Sequence, residues 1–179
     1  RECRACPAGY AQQTNGSEMC IHCLPGQNQP KLGSTTCMDC REGKFAESQG
    51  MSSCYLCPLG YHSSLSHGSA SCEICSSGRR GNTFRFCVDC GPGMFRNSSM
   101  RNATACLDCP AGKYSTSGAW QCQACARGKY AKQQRSFNCV ACSPGMYANM
   151  KANIDCQFCP DGYHATGTGA VDCNECNPG

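Results

Sequence analysis

The sequence contains few of the aliphatic and aromatic side chains that build a hydrophobic core. Leu, Ile, Val and Phe together account for 18 of the 179 residues, which is below the roughly 20% under which chains rarely bury enough surface to fold. There is a single Trp. These deficits exclude one large hydrophobic core, so the fold needs another source of stability.

Long hydrophobic runs are also missing. No stretch approaches the roughly 18 apolar residues that a membrane-spanning helix requires. The N-terminus has no charged segment followed by an apolar segment, which is the pattern of a secretory signal. We therefore expect mature material without membrane insertion in this segment.

Cysteine, in contrast, is abundant, at 22 of 179 residues. That fraction exceeds the roughly 8–10% that marks a disulfide scaffold. Because dense disulfides persist only in oxidising surroundings, we expect an extracellular or cell-surface protein. All the cysteines fall in Cys-x-x-Cys pairs, which begin at Cys3, Cys20, Cys37, Cys54, Cys72, Cys87, Cys106, Cys122, Cys139, Cys156 and Cys173.

These pairs mark an internal repeat. From Cys3 to Cys173, ten steps cover 170 residues, an average of 17. A short step of 15 residues from Cys72 to Cys87 is followed by a long step of 19 to Cys106. The long step compensates for the short one, either by chance or because it restores a fixed rise per repeat.

Each repeat carries the same turn signals. Glycine stands three residues after the second cysteine of every pair, often with a preceding proline, which indicates a tight turn with positive φ. A polar turn follows in mid-repeat, so each repeat predicts one small hairpin and no helix. The predicted fold is small and disulfide-rich, mostly irregular with short β-hairpins, and forms an elongated tandem-repeat rod of about ten 17-residue units.

An aromatic residue follows the turn glycine in most repeats, as at Tyr10, Tyr114 and Tyr130. Either the ring covers the disulfide of its own repeat, or the rings form a row that a partner contacts. We favour the first interpretation, because a repeat this poor in aliphatic residues needs its large side chain for burial.

Three kinds of chemistry use Cys-x-x-Cys pairs. A redox motif needs a βαβ context that is missing here. Zinc takes four sulfurs from two pairs, so eleven pairs leave one unmatched, and the oxidising setting disfavours thiolates. Structural disulfides are therefore the favoured interpretation.

Connectivity does not follow from spacing alone, but the repeat favours bridges from the second cysteine of one pair to the first of the next. The closed units, in one continuous array, would then be 6–20, 23–37, 40–54, 57–72, 75–87, 90–106, 109–122, 125–139, 142–156 and 159–173. Cys3 and Cys176 stay unpaired within the chain. We expect from this that the chain is a segment of a longer array.

The stretch from Cys109 to Cys125 resembles the ephrin-receptor-like cysteine-rich repeat and the first half-module of tumour necrosis factor receptor cysteine-rich domains. The residues that carry the resemblance are Cys109, Pro110, Gly112, Tyr114, Gly118, Cys122 and Cys125. The resemblance implies the same cysteine pairing. Such repeats occur in receptor ectodomains, in matrix proteins and in surface arrays such as mastigoneme glycoproteins. The long run of half-modules departs from the receptor pattern and is more typical of a spacer or fibre component.

Two kinds of surface site are candidates. Sequons predict N-glycosylation at Asn15, Asn97 and Asn102. Basic residues concentrate between 79 and 135, which is either a solvated face or a patch for an acidic glycan or another polyanion. The candidate patch comprises Arg79, Arg80, Arg85, Arg96, Arg101, Lys129, Lys132 and Arg135.

No motif for catalysis, metal or cofactor binding stands out. The four histidines are scattered, and no nucleophile stands beside a base. We expect no enzyme, no cofactor and no nucleic-acid partner. The predicted function is an extracellular structural protein, a spacer or filament subunit that assembles laterally with itself or neighbouring proteins. The alternative is a receptor ectodomain segment that binds a protein ligand or an acidic glycan.

Overall fold

The computed structural model describes residues 4–12, 19–100 and 103–177. None of these residues is helical, and the regular structure consists of twenty strands of two or three residues. The strands are β1 Tyr10–Ala11, β2 Ile21–His22, β3 Gln27–Asn28, β4 Met38–Asp39, β5 Lys44–Phe45, β6 Tyr55–Leu56, β7 Tyr61–Ser63, β8 Cys72–Ile74, β9 Arg79–Gly81, β10 Cys87–Asp89, β11 Met94–Phe95, β12 Leu107–Asp108, β13 Lys113–Tyr114, β14 Gln123–Ala124, β15 Lys129–Tyr130, β16 Val140–Ala141, β17 Met146–Tyr147, β18 Gln157–Phe158, β19 Tyr163–His164 and β20 Asn174–Glu175.

Successive strands pair into ten two-stranded sheets. In a typical hairpin the first strand follows the turn glycine, and the second consists of the two residues inside a Cys-x-x-Cys pair. In the hairpin of β13 and β14, for example, Tyr114 lies opposite Gln123 in antiparallel register. A two-stranded hairpin is marginal alone, so each depends on its disulfide. The predicted fold class, a disulfide-rich tandem repeat with short hairpins, is confirmed.

Ten disulfides close the hairpins, and their connectivity is the one predicted above, from the second cysteine of one Cys-x-x-Cys pair to the first of the next. A closed loop of about 15 residues contributes roughly 3 kcal/mol in the chain-entropy model. The bridges are Cys6–Cys20, Cys23–Cys37, Cys40–Cys54, Cys57–Cys72, Cys75–Cys87, Cys90–Cys106, Cys109–Cys122, Cys125–Cys139, Cys142–Cys156 and Cys159–Cys173. We number the repeats 1 to 10 by these bridges.

Sulfur takes the place of a hydrophobic core. The first cysteine of the bridge is at most 2% exposed in repeats 1 to 9, so each disulfide is buried on one side. The other buried apolar residues are alanines such as Ala46, Ala131 and Ala148. The scarcity of aliphatic residues is therefore consistent with a fold that buries small groups and sulfur.

One position after the turn glycine is buried throughout repeats 2 to 10. It is the third residue after that glycine, and a small side chain occupies it in seven of these nine repeats. The buried residues are Gln29, Ala46, Ser63, Gly81, Arg96, Ser115, Ala131, Ala148 and Ala165.

Contacts between Cα atoms divide the chain into two compact units. The first contains the described residues of Arg1–Cys75, Gly81–Val88 and Asn102–Thr104. The second contains those of Ser76–Arg80, Asp89–Arg101 and Ala105–Gly179.

Candidate functional site

The turn glycine joins three consecutive repeats, as Gly112 of repeat 7 illustrates. Its φ is +81°, a conformation that L side chains rarely adopt. Its N–H donates to the carbonyl of Ala131 in repeat 8 at 2.8 Å, and its own carbonyl accepts from the Cys125 N–H at 2.9 Å. A Cβ at position 112 would lie 2.1 Å from the carbonyl oxygen of Ala152 in repeat 9. Both the backbone angle and the close approach therefore require glycine.

The contact between a repeat and the second repeat after it recurs along the chain. In each case a Cβ on the turn glycine would lie within 2.9 Å of a residue in the mid-repeat turn two repeats later. The pairs are Gly9 with Gly50, Gly26 with Gly68, Gly43 with Phe84, Gly60 with Ala103, Gly78 with Gly118, Gly93 with Arg135, Gly112 with Ala152 and Gly128 with Gly169.

This contact persists through the irregular repeats. The bridged cysteines of repeat 5 are only 12 positions apart in sequence, and those of repeat 6 are 16 positions apart. Gly43 still meets Phe84 of repeat 5, and Gly60 still meets Ala103 of repeat 6. The contact supports the interpretation that the compensating steps preserve a fixed register from repeat to repeat.

The mid-repeat turn is also held by the preceding repeat. The Arg135 N–H donates to the Cys109 carbonyl, and the Ala152 N–H donates to the Cys125 carbonyl, each at 2.8 Å. Both donors have a φ of +61°, which costs a non-glycine residue roughly 1–2 kcal/mol. Neighbouring repeats therefore impose a backbone conformation that the side chains do not favour.

Arg96, named above as part of the basic patch, occupies the buried position of repeat 6. It is only 1% exposed. Its Nη1 donates to the carbonyls of Ser76 at 2.9 Å and Arg79 at 3.2 Å, and its Nη2 donates to the carbonyl of Met100 at 3.4 Å. The inclusion of Arg96 in a surface patch was therefore wrong, because its guanidinium crosslinks the backbone instead.

Three further patch residues are paired with carboxylates. Arg79 Nε lies 3.2 Å from Asp89 Oδ1, and Arg135 Nε lies 3.9 Å from Asp108 Oδ1. Lys132 Nζ lies 3.0 Å from Asp155 Oδ2. Exposed pairs of this kind contribute little to stability. These pairs nevertheless reduce the net field that a polyanion would meet. Arg80 and Lys129 are exposed, whereas Arg101 lies outside the described residues.

The Lys132 and Asp155 pair shifts both titrations. The hydrogen bond from Lys132, together with the Cys156 N–H, lowers the pKa of Asp155 below its ordinary value. The hydrogen bond to Asp155 and its negative charge raise the pKa of Lys132. The pair links repeats 8 and 9 and is charged throughout the neutral range.

Arg85 differs from the other basic residues. It has a φ of +66°, and its Nε and Nη1 are buried without a hydrogen-bond partner. The Cβ of Arg85 packs beside Gly43, since a Cβ built on Gly43 would lie 3.2 Å from the Arg85 Cβ. Arg85 therefore offers little of its charge to a surface ligand.

Tyr130 packs against the buried cluster of Cys142, Ala148 and Cys156 in the following repeat. The Tyr130 ring therefore contacts the disulfide of the next repeat, whereas the sequence predicted contact with the disulfide of its own repeat. Other aromatic side chains contact the facing strand, as Tyr10 does with His22. The Tyr114 hydroxyl donates to Gln123 at 2.9 Å.

Of the sequons, Asn97 lies in the loop after β11 and is partly exposed. The hydroxyl of Ser99 donates to Asn97 Oδ1 at 2.8 Å. Asn15 and Asn102 lie outside the described residues, so their glycosylation stays a prediction.

Cys176 is a free, exposed thiol, and its sulfur lies 3.7 Å from His164 Nδ1. Cys3 lies outside the described residues. Within the described ranges, no group of three or more His, Cys, Asp or Glu residues is arranged to hold a metal ion. The same part of the chain has no helix long and apolar enough to cross a membrane.

A shallow recess of about 320 Å³ lies between the first two repeats. Ile21, His22, Leu24 and Gln27 contribute to its lining. The lining combines Ile21 and Leu24, which are exposed, with the polar residues His22, Gln27 and Thr36.

Two features were not predicted from the sequence: a buried position after the turn glycine and a set of exposed apolar residues before the closing cysteine. The buried position after the turn glycine was visible as a recurrence of small residues, although Gln29 and Arg96 interrupt it. The second feature is a set of exposed apolar residues two positions before the closing cysteine in repeats 7 to 10. These are Trp120, Phe137, Ile154 and Val171.

Residues 112–152 match a family model described as tyrosine-protein kinase ephrin type A/B receptor-like. This span runs from Gly112 to Ala152, so it contains repeat 8 and parts of repeats 7 and 9. The resemblance to ephrin-receptor-like repeats is thereby confirmed, and the ladder of ten bridges fits a cysteine-rich repeat array. Arrays of this kind are typical of extracellular domains. No curated protein matches the chain.

Proposed function

We propose that this chain is an extracellular structural protein whose disulfide-laddered array serves as a spacer or as a subunit of a fibre. The observation that carries the proposal is the three-repeat junction at Gly112. Backbone hydrogen bonds hold successive repeats together, and one disulfide closes each repeat. A tandem array stabilised by contacts between near neighbours suits a spacing role.

The compartment follows from the same chemistry. Ten disulfide bridges need an oxidising environment to form and persist. A glycan on Asn97 would be consistent with this location, because its sequon lies in a partly exposed loop. We therefore place the protein outside the cell or at its surface.

The test is to locate the native protein and to measure its assembly state. Immunogold labelling should place it outside the cell, and gentle extraction should recover it in particles much larger than the 19.1 kDa chain. A monomer that stays soluble in native extracts, and enlarges only when a ligand is added, would contradict the structural role.

A receptor ectodomain segment is the second candidate function. Two observations favour it: the description of the matching family names a receptor, and Arg80 and Lys129 are exposed cations. In this function an acidic glycan or protein ligand would bind the basic middle of the chain.

Heparin affinity at two salt concentrations tests this alternative. Ionic binding weakens as salt screens the charges, and an Arg80→Ala, Lys129→Ala double variant should elute earlier. A Lys151→Ala variant serves as the control, because Lys151 is outside the basic segment. If heparin retention is the same at both salt concentrations and in the double variant, the basic surface is excluded as a polyanion-binding site.

A further inference from the structure

Four exposed apolar side chains occupy the same position in consecutive repeats. Trp120 is 57% exposed, Phe137 64%, Ile154 59% and Val171 43%. We call these four residues the apolar row. Repeats 2 to 6 carry Thr35, Ser52, Ala70, Arg85 and Thr104 at this position. Single exposed apolar residues are common, but these four recur at one position of consecutive repeats.

The backbone places the row in a constant register. The residue before each member accepts a hydrogen bond from the buried position of the preceding repeat, which is the same contact four times. The donor and acceptor pairs are Arg96 N–H to Ala119 at 3.2 Å, Ser115 N–H to Ser136 at 3.2 Å, Ala131 N–H to Asn153 at 3.1 Å and Ala148 N–H to Ala170 at 3.0 Å. The row is therefore periodic with the repeat.

Charge changes sign along the row. Residues 109–139, which contain repeats 7 and 8, hold five Lys and Arg residues and no Asp or Glu. Residues 140–177, which contain repeats 9 and 10, hold Lys151 against four acidic residues. Two of these, Asp155 and Asp172, directly follow row members, and Asp155 is already paired with Lys132 of the same chain. The half of the row with aromatic side chains is thus basic, and the half with aliphatic side chains is acidic.

We propose that the apolar row is a contact surface between two antiparallel copies of this chain. Repeats 7 and 8 of one copy face repeats 10 and 9 of the other, so Trp120 of one copy meets Val171 of the other and Phe137 meets Ile154. This proposal deepens the structural function and rests on it, since it names the surface used in lateral assembly.

Two arguments select this occupant and this orientation. A second copy carries the same spacing between row members, so all four contacts form in one register, as a two-fold interface requires. The antiparallel orientation brings the basic half of each copy against the acidic half of the other, whereas a parallel one opposes like charges.

Sedimentation equilibrium of the 179-residue chain tests the surface. The account predicts a monomer–dimer equilibrium, and the double variant Phe137→Ser, Ile154→Ser should raise its Kd at least about 10-fold. The matched control is Phe158→Ser, Met150→Ser, which alters two residues that are 78% and 62% exposed but lie outside the row. An intact set of ten disulfides verifies that the Phe137→Ser, Ile154→Ser variant is folded.

Crosslinking of mixed ¹⁴N and ¹⁵N chains tests the orientation. The antiparallel arrangement predicts links between Lys132 of one copy and Lys151 of the other. A monomer at all concentrations up to about 1 mM, a dimer insensitive to the row variant, or any other dominant link between copies would overturn the proposal. If native assemblies persist with the row variant, only this interface fails. If the native protein is a soluble, ligand-dependent monomer, the structural function itself fails.

Discussion

The carbonyl oxygen of Ala152 fills the space that a side chain on Gly112 would need, although the two residues are in repeats 7 and 9. An added Cβ at position 112 would lie 2.1 Å from that oxygen. Because Gly112 also donates to Ala131 in repeat 8, one glycine fixes the geometry of three repeats. The register between these three repeats therefore depends on backbone contacts.

Replacing Gly112 with Ala should be much more disruptive than replacing Gly145. Both have a φ near +80°, so both substitutions incur a backbone strain of roughly 1–2 kcal/mol. Only Gly112 faces a backbone atom, since a Cβ at Gly145 would meet nothing within 4 Å. We expect Gly112→Ala to lose at least about 3 kcal/mol in total. Guanidinium unfolding of both variants measures this, and equal losses would contradict the close contact.

Replacing Arg96 with Met should destabilise the chain by about 1–3 kcal/mol, because the carbonyls of Ser76, Arg79 and Met100 lose the donor that the buried guanidinium supplies. The substitution keeps much of the side-chain volume, so the loss reports the hydrogen bonds. Arg80→Met is the control, since Arg80 is exposed in β9 and should stay within about 0.5 kcal/mol. Amide exchange at Gly78, whose N–H donates to the Arg96 carbonyl, should accelerate only in the Arg96 variant. Unchanged exchange there would refute the crosslinking role.

Removing the bridge of repeat 8 with Cys125→Ser and Cys139→Ser should cost about 3 kcal/mol. The loss should extend to its neighbours, because the Cys125 backbone bonds to Gly112 and Ala152. Hydrogen exchange of these residues measures the spread. Cys176→Ser is the matched control for removing a thiol, since Cys176 is free and exposed. Protection lost in repeat 8 alone would show that the repeats are independent.

The Asp155 carboxyl should titrate below the ordinary range, since Lys132 lowers its pKa. Its contribution to stability is present above the pKa of the unfolded state and is lost as the pH falls through the lowered folded pKa. Lys132 has a raised pKa, so its contribution is lost only as the pH rises through that value. NMR titration should show Lys132→Met moving the Asp155 midpoint upward, whereas Lys132→Arg retains it. If the Asp155 titration midpoint is unchanged in the Lys132→Met variant, the Lys132–Asp155 ion pair is excluded.

The sequence predicts the local part of this structure because local rules produce it. The Cys-x-x-Cys period, the positive φ of Gly112 and the hairpin after it depend on residues within one repeat. The contact from Gly112 to Ala152 depends instead on how far each repeat rises and rotates, which no single repeat encodes. This is why the role of the glycine in joining three repeats was not predicted.

The candidate surface sites were harder to predict for a related reason. Arg96 counts as surface charge in any composition argument, and only the fold reveals that it fills a position that is otherwise small, as at Ala131. The row that contains Phe137 was visible as an apolar residue two positions before the closing cysteine. It was not predicted because neither the disulfides nor the turns depend on this position.

The most direct test of the ladder is disulfide mapping by mass spectrometry of unreduced native protein, with free thiols blocked and with cleavage inside each Cys-x-x-Cys pair. The account predicts peptides that join Cys109 to Cys122 and Cys125 to Cys139, and likewise through all ten repeats. Bridges within a Cys-x-x-Cys pair, or between cysteines of different repeats such as Cys122 and Cys139, would contradict the closed-repeat array.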